Sequence, residues 1–99
     1  KVVTDSDDFA IYFSRSPIPF NTTSNPKLNY FKHIGIYGFR KKSLVDFYNS
    51  KPTKLELIEK LEQLRYLESG KKIKMVISNF DGIGIDTMED LIKARSLFK

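Results

Sequence analysis

The chain contains no cysteine. That absence excludes a disulfide framework, a thiolate metal centre and a cysteine nucleophile, and it fits a reducing compartment. It also lacks any run of about 18 apolar residues, the length a membrane-spanning helix requires. Histidine occurs once, at His33. Nothing supplies a Ser-His-Asp triad, a zinc cluster or a phosphate-binding P-loop. There is no internal repeat and no low-complexity tract.

What is present fits one modest domain of 99 residues, 40% of them apolar. The net charge is +5 and the isoelectric point about 9.5. The basic residues are dispersed, with small clusters at Arg40-Lys41-Lys42 and Lys71-Lys72-x-Lys74, where element ends are expected. Two readings stand for them, a solvated surface or contact with an anion or polyanion. The opening "KVVTDSDDF" has neither a Met nor a cap signal. It reads as entry into the middle of a protein, with Val2 and Val3 as the end of a strand, and a fragment or processed chain is expected.

"DSDD", Asp5 to Asp8, is a turn, and the aromatic-rich "FAIYFSR", Phe9 to Arg15, is a strand. "SPIPFNTTSNPKLN" follows as an irregular loop, because its prolines deny a regular ladder. "YFKHIGIYGFR" reads as the second strand. Alternation puts Phe31, His33, Gly35, Tyr37 and Phe39 on one face and Ile34 and Ile36 on the other. Ile34 and Ile36 are expected in the core, and Gly35 is expected to leave room between His33 and Tyr37. Ser43 to about Asn49 is a short helix with Ser43 as its cap. "KPTKLELIEKLEQLRYLESG" is a single long helix, with a Thr53–Glu56 capping box, a stripe of Leu57, Ile58, Leu61 and Leu64, and a stop at Gly70. "KIKMVIS", Lys72 to Ser78, reads as a buried strand. After the loop "NFDGIGIDT", Thr87 and Asp90 cap a last helix whose inner side is Leu91, Ala94, Arg95 and Phe98. Strands interleaved with helices define an α/β fold, with the helix-to-strand step as half of a parallel unit.

Several residues could carry chemistry. Asp86 follows a strand and precedes a helix, so it either ligates a hard cation such as Mg²⁺ or helps cap that helix. Glu62 and Gln63 lie off the leucine stripe, as ordinary solvent-face residues do. Arg15, at the end of the first strand, either makes a surface salt bridge or clamps a carboxylate or phosphate. His33 is either a half-buried, satisfied imidazole or part of a polar binding face with Tyr37.

Four blocks in order, "YFSRSPIPF", "KHIGIYGFRKKSL", "LELIEKLEQLRYLESGKKIKM" and "GIDTMEDL", resemble the CMP-Kdo synthetases, the 3-deoxy-manno-octulosonate cytidylyltransferases. The resemblance covers nearly the whole chain. It implies the C-terminal, sugar-binding portion of a nucleotide-diphospho-sugar transferase-like (Rossmann-like) mixed sheet with flanking helices. It implies a reaction of CTP with the acid sugar Kdo, with Mg²⁺, giving CMP-Kdo and pyrophosphate for lipopolysaccharide assembly in the cytoplasm. Matched motif by motif, His33, Tyr37, Glu62 and Gln63 would line the Kdo pocket, Arg15 would face its carboxylate, and Asp86 would be a Mg²⁺ ligand. A homodimer is implied, with no nucleic-acid and no membrane partner. The family's CTP-binding half, with its basic glycine-containing loop and second metal-binding Asp, is not among these 99 residues, so the segment alone is expected to be inactive. The alternatives are a cytidylyltransferase for a related acid sugar, or a non-catalytic basic binding module.

Overall fold

The computed structural model describes residues 1–24, 27–79 and 84–98. Two short strands, β1 (Val2–Thr4) and β2 (Ala10–Phe13), pair antiparallel with Val2 opposite Phe13, Val3 opposite Tyr12 and Thr4 opposite Ala10. The acidic turn between them is built by Asp5, whose Oδ1 accepts the N–H groups of Asp7 and Phe9, both at 2.9 Å. Asp8 takes a left-handed φ of 66° there, a conformation Asp tolerates better than most residues.

The two longer strands expected from sequence do not form ladders. Phe31 makes one bridge to Val2, with Val2 N–H donating to its carbonyl at 3.1 Å. Around Lys74 a bridge to Phe9 is flanked by Ala10 N–H to the Ile73 carbonyl (2.8 Å) and Met75 N–H to the Asp8 carbonyl (2.7 Å). A strand exists only through its neighbours. Beyond these contacts, residues 32–40 and 76–78 have no ladder partner among the described residues, and Ile36 N–H turns back to the Ile34 carbonyl. All described pairings are antiparallel, so the parallel unit expected from the helix-to-strand step is absent from them.

Among the described residues four helices follow: α1 (Lys41–Asn49), α2 (Lys54–Glu59), α3 (Leu64–Glu68) and α4 (Met88–Leu97). The first begins two residues before Ser43, with Arg40 at the cap position and no side-chain cap bond, so Ser43 is not its cap. At α2 Thr53 and Glu56 form the expected capping box, in which the Glu56 carboxylate accepts the Thr53 N–H at 3.1 Å. Gly70, at φ 83°, ends α3 with paired bonds from Gly70 N–H to the Leu67 carbonyl and Lys71 N–H to the Tyr66 carbonyl. Only glycine adopts that left-handed C-terminal position without steric penalty. The α4 box closes both ways, Thr87 N–H to Asp90 and Asp90 N–H to Thr87 Oγ1, each at 3.1 Å.

The expected single helix from Thr53 to Gly70 is therefore two, broken at residues 60–63. Lys60 is left-handed (φ 55°, ψ 46°), although no Gly or Pro marks the break. The carbonyls of Glu59 and Lys60 at the break accept from the Arg15 guanidinium.

The core is small. Val2, Phe13 and Leu64 are buried together, with Tyr12, Leu55, Leu61, Leu67, Ile73 and Met75 packed around them. Leu57 and Ile58 of the expected stripe are exposed, and so are Ile36, expected in the core, and Val76 and Ile77 of the expected buried strand. On α4, Ala94 is buried, but Phe98 is exposed.

One polar cluster ties the helices together. Arg65 grips Glu56 with Nη2 to Oε1 at 2.6 Å and Nε to Oε2 at 2.8 Å. It also donates to the Ser50 carbonyl at 3.1 Å and lies 5.0 Å over the Phe47 ring. Their side chains keep only 14% and 8% of their exposure. Removing one member of such a pair leaves the other charge without compensation, so Glu56→Ala in the whole protein is expected to cost about 3 kcal/mol. A urea-denaturation midpoint that hardly moved would contradict this. Hydrogen bonding from Arg65 holds the Glu56 carboxyl below its ordinary 4.5. Folded Glu56 thus binds its proton less readily than unfolded Glu56. Its stabilisation is complete above about pH 4.5 and is lost as pH falls through the lower folded value.

Candidate functional site

An open groove of 1760 Å³ runs between residues 29–40, the break at residues 60–63 and residues 72–79. Against it lies a recess of 260 Å³ that includes Phe13, Ser14 and Arg15. Lys32, His33, Leu61 and Gln63 form walls of both.

His33 stands edge-on to the fully buried Phe13 ring, with centroids 4.9 Å apart and planes at 71°. Its Nε2 lies 2.5 Å from Tyr37 Oη. Burial pushes the imidazole below its ordinary 6.5, so it is neutral at pH 7. Burial, then the Glu62 charge, pushes the Tyr37 phenol up to about 12. The phenol therefore keeps its proton, and the neutral imidazole and the phenol share one hydrogen bond whose direction is set by which ring nitrogen carries the imidazole proton. A Cβ at Gly35 would meet nothing within 4 Å. His33 and Tyr37 do not stand apart across that space, however, because they bond directly. From Tyr37 an aromatic chain continues through Phe39 to Phe47 and Tyr66, with centroid spacings of 5.8 to 6.3 Å.

The break between α2 and α3 brings the other half of the site. Arg15 donates from Nε to the Glu59 carbonyl (2.7 Å) and from Nη2 to the Lys60 carbonyl (2.9 Å). In an unbroken helix those two carbonyls would accept the N–H groups of Gln63 and Leu64. The chain restarts with shorter bonds, Leu64 N–H to Leu61 and Arg65 N–H to Glu62. Gln63 is thereby carried into the wall of the recess, only 8% exposed, and its Nε2 has no hydrogen-bond partner among the described residues. Glu62 stays exposed on the groove.

Asp86 stands apart. Its N–H donates to Asp90, and Thr87 and Asp90 make the cap of α4, so capping does not explain the Asp86 carboxylate. It is exposed, and Gly84, two residues before it, reaches the groove wall. Among the described residues no group of three or more His, Cys, Asp or Glu could hold a metal ion. Asp86 is thus a single exposed carboxylate beside the groove.

Two residues of this region escape a sequence reading. Lys32 falls on the opposite strand face by simple alternation, yet lines both cavities. Glu59 sits at the C-terminal end of α2, where the helix dipole disfavours a carboxylate. That misfit is the signal: the Ser14 hydroxyl, the Arg15 N–H and the Tyr12 hydroxyl hold its carboxyl below the usual range. The lysine cluster is engaged locally. Lys72 and Lys74 lie over the Phe9 ring and Lys71 over Tyr66, so it presents no uncommitted basic stripe.

Residues 1–73 match the family described as cytidylyltransferase, and the chain belongs to that family. Among curated relatives, it is 57% identical over 97 residues to the 3-deoxy-manno-octulosonate cytidylyltransferase of Christiangramia forsetii, covering 98% of this chain and 39% of that enzyme. With the enzyme of the same name from Flavobacterium johnsoniae the identity is 57% over 99 residues, covering 100% and 41%. A solved structure of CMP:2-keto-3-deoxy-manno-octonic acid synthetase complexed with CTP superposes with a TM-score of 0.88 at 38% identity, covering 98% of this chain and 40% of that one. The chain thus spans about 40% of the length of the relatives it matches. The fold is that of an α/β nucleotidyltransferase portion. No helix among the described residues is long and apolar enough to cross a membrane.

Proposed function

We propose that these residues are the C-terminal, acid-sugar-binding portion of a 3-deoxy-manno-octulosonate cytidylyltransferase. The observation that carries this reading is the buried, unpartnered Gln63 Nε2 beside His33 on one wall. A buried donor left unsatisfied is costly, so it implies a ligand oxygen to receive it. Kdo offers hydroxyls and a carboxylate, and the recess is lined by matching polar groups in Gln63, the His33 imidazole and the Lys32 ammonium. The names of the related enzymes support this sugar.

In the whole enzyme the anomeric hydroxyl of the sugar attacks the α-phosphorus of CTP. The new O–P bond gives CMP-Kdo, the bond to the β-phosphate bridging oxygen breaks, pyrophosphate leaves with its electron pair, and the hydroxyl proton is released. Residues of this chain bind and orient the sugar: Gln63, Glu62 and the His33–Tyr37 pair by hydrogen bonds, while Arg15, its Nε and Nη2 committed to the Glu59 and Lys60 carbonyls, lines the same recess. Positioning of this kind converts an encounter into a near-unimolecular step. Mg²⁺, held in part by Asp86, would neutralise phosphate charge when bound. CTP and Kdo are the substrates, the setting is the cytoplasm, and the active form is a homodimer for which the exposed Leu44, Val45 and Tyr48 of α1 offer surface. Neither nucleic acid nor membrane is proposed as a partner.

His33→Ala in the whole enzyme is expected to raise the KM for the acid sugar about tenfold or more, the cost of one hydrogen bond to a charged ligand. The KM for CTP should change far less. Steady-state kinetics with each substrate varied in turn makes the check, and equal effects on both would defeat the sugar assignment.

A further inference from the structure

The geometry points to Arg15 as a positioning residue: by taking the Glu59 and Lys60 carbonyls it breaks the α2–α3 helix and so turns Gln63 from solvent into the recess. This deepens the proposed function and rests on it for the identity of the ligand. Three observations on different atoms converge.

First, the break has no local cause. "EKLEQL" contains no Gly or Pro, and every residue in it is a good helix former. Lys60 nevertheless adopts the left-handed conformation, which costs a non-glycine residue roughly 1 kcal/mol. Something outside the helix must offset that cost.

Secondly, the guanidinium occupies the two acceptors that helix continuation would need, through Nε at 2.7 Å and Nη2 at 2.9 Å. A planar fork bridges two adjacent carbonyls in a way that one ammonium cannot. The Glu59 carboxylate holds the Arg15 main chain from the other side, accepting its N–H at 3.3 Å.

Thirdly, the consequence falls on the residue with the orphan donor. On an uninterrupted Thr53–Gly70 helix, Gln63 lies off the leucine stripe and faces water. After the break it is 8% exposed with Nε2 unpartnered. Arg15 and Gln63 line the same recess, so the breaking residue and the residue it redirects are neighbours. Arg15 thus acts on the sugar through Gln63.

The test uses the whole enzyme with Arg15→Ala, Arg15→Lys, Gln63→Leu and the double variant Arg15→Ala/Gln63→Leu. Without substrate, hydrogen exchange at the Gln63 amide is expected to slow about tenfold or more in Arg15→Ala, because the helix can run through and Gln63 N–H regains the Glu59 carbonyl. With substrate, Arg15→Ala and Gln63→Leu should each raise the sugar KM about tenfold, the double variant no further, and Arg15→Lys should not rescue. Faster or unchanged exchange at Gln63 in Arg15→Ala overturns the inference, as do multiplying KM effects or full rescue by Arg15→Lys, which would mean a direct charge contact. Exchange that slows while neither variant moves the sugar KM keeps the helix break and overturns the sugar reading. The two failures are therefore separable.

Discussion

Residues 1–99 by themselves are expected to form no CMP-Kdo from CTP, Kdo and Mg²⁺. The described residues hold no group of three metal-ligating side chains. They hold no phosphate-cradling loop of the P-loop type. Their apolar surface is also far from covered: Ile36 is 78% exposed, Val76 84% and Ile77 72%. The radius of gyration is 15.9 Å, against about 13 Å for a compact domain of this length. The segments that flank the groove carry open main-chain edges, which normally require pairing or cover. The same chain should therefore bind an apolar dye and self-associate. Product release from a preparation whose intact mass shows only this segment would refute the expectation.

Asp86→Ala in the whole enzyme is expected to lower kcat by about two to three orders of magnitude, since a catalytic metal contributes several kcal/mol of charge stabilisation. The structure makes this substitution unusually clean. The α4 cap is made by Thr87 and Asp90, with only the Asp86 main-chain N–H taking part, and alanine keeps that group. The melting temperature should therefore stay within a few degrees of wild type while turnover collapses. Titrating Mg²⁺ at saturating CTP makes the check. A variant with unaltered rate and unaltered Mg²⁺ dependence would remove Asp86 from the metal site.

The local elements that were legible are those whose signals are covalently near. The Asp5 turn and the Thr87–Asp90 box each rest on a side chain meeting main chain within five residues, and the Gly70 stop rests on main-chain bonds within the same reach. The strands at residues 30–40 and 72–78 read clearly as patterns but form only isolated bridges, because alternation describes a face and not the partner that makes a ladder. Alternation did group His33 and Tyr37 correctly. It could not indicate that they bond each other, since a glycine between them looks like a gap.

By itself, the sequence determined the α/β composition, the family, and the residue types that line the groove, because these follow from local chemistry and from blocks kept in order. Tertiary structure alone decided how Glu62 and Gln63 are presented. A helical stretch with no breaker is cut because Arg15, 44 and 45 residues away along the chain, takes the carbonyls of Glu59 and Lys60. Helix propensity amounts to tenths of a kcal/mol per residue, and two charge-assisted hydrogen bonds outweigh it. That balance turns a solvent-facing glutamine into a buried donor awaiting an oxygen.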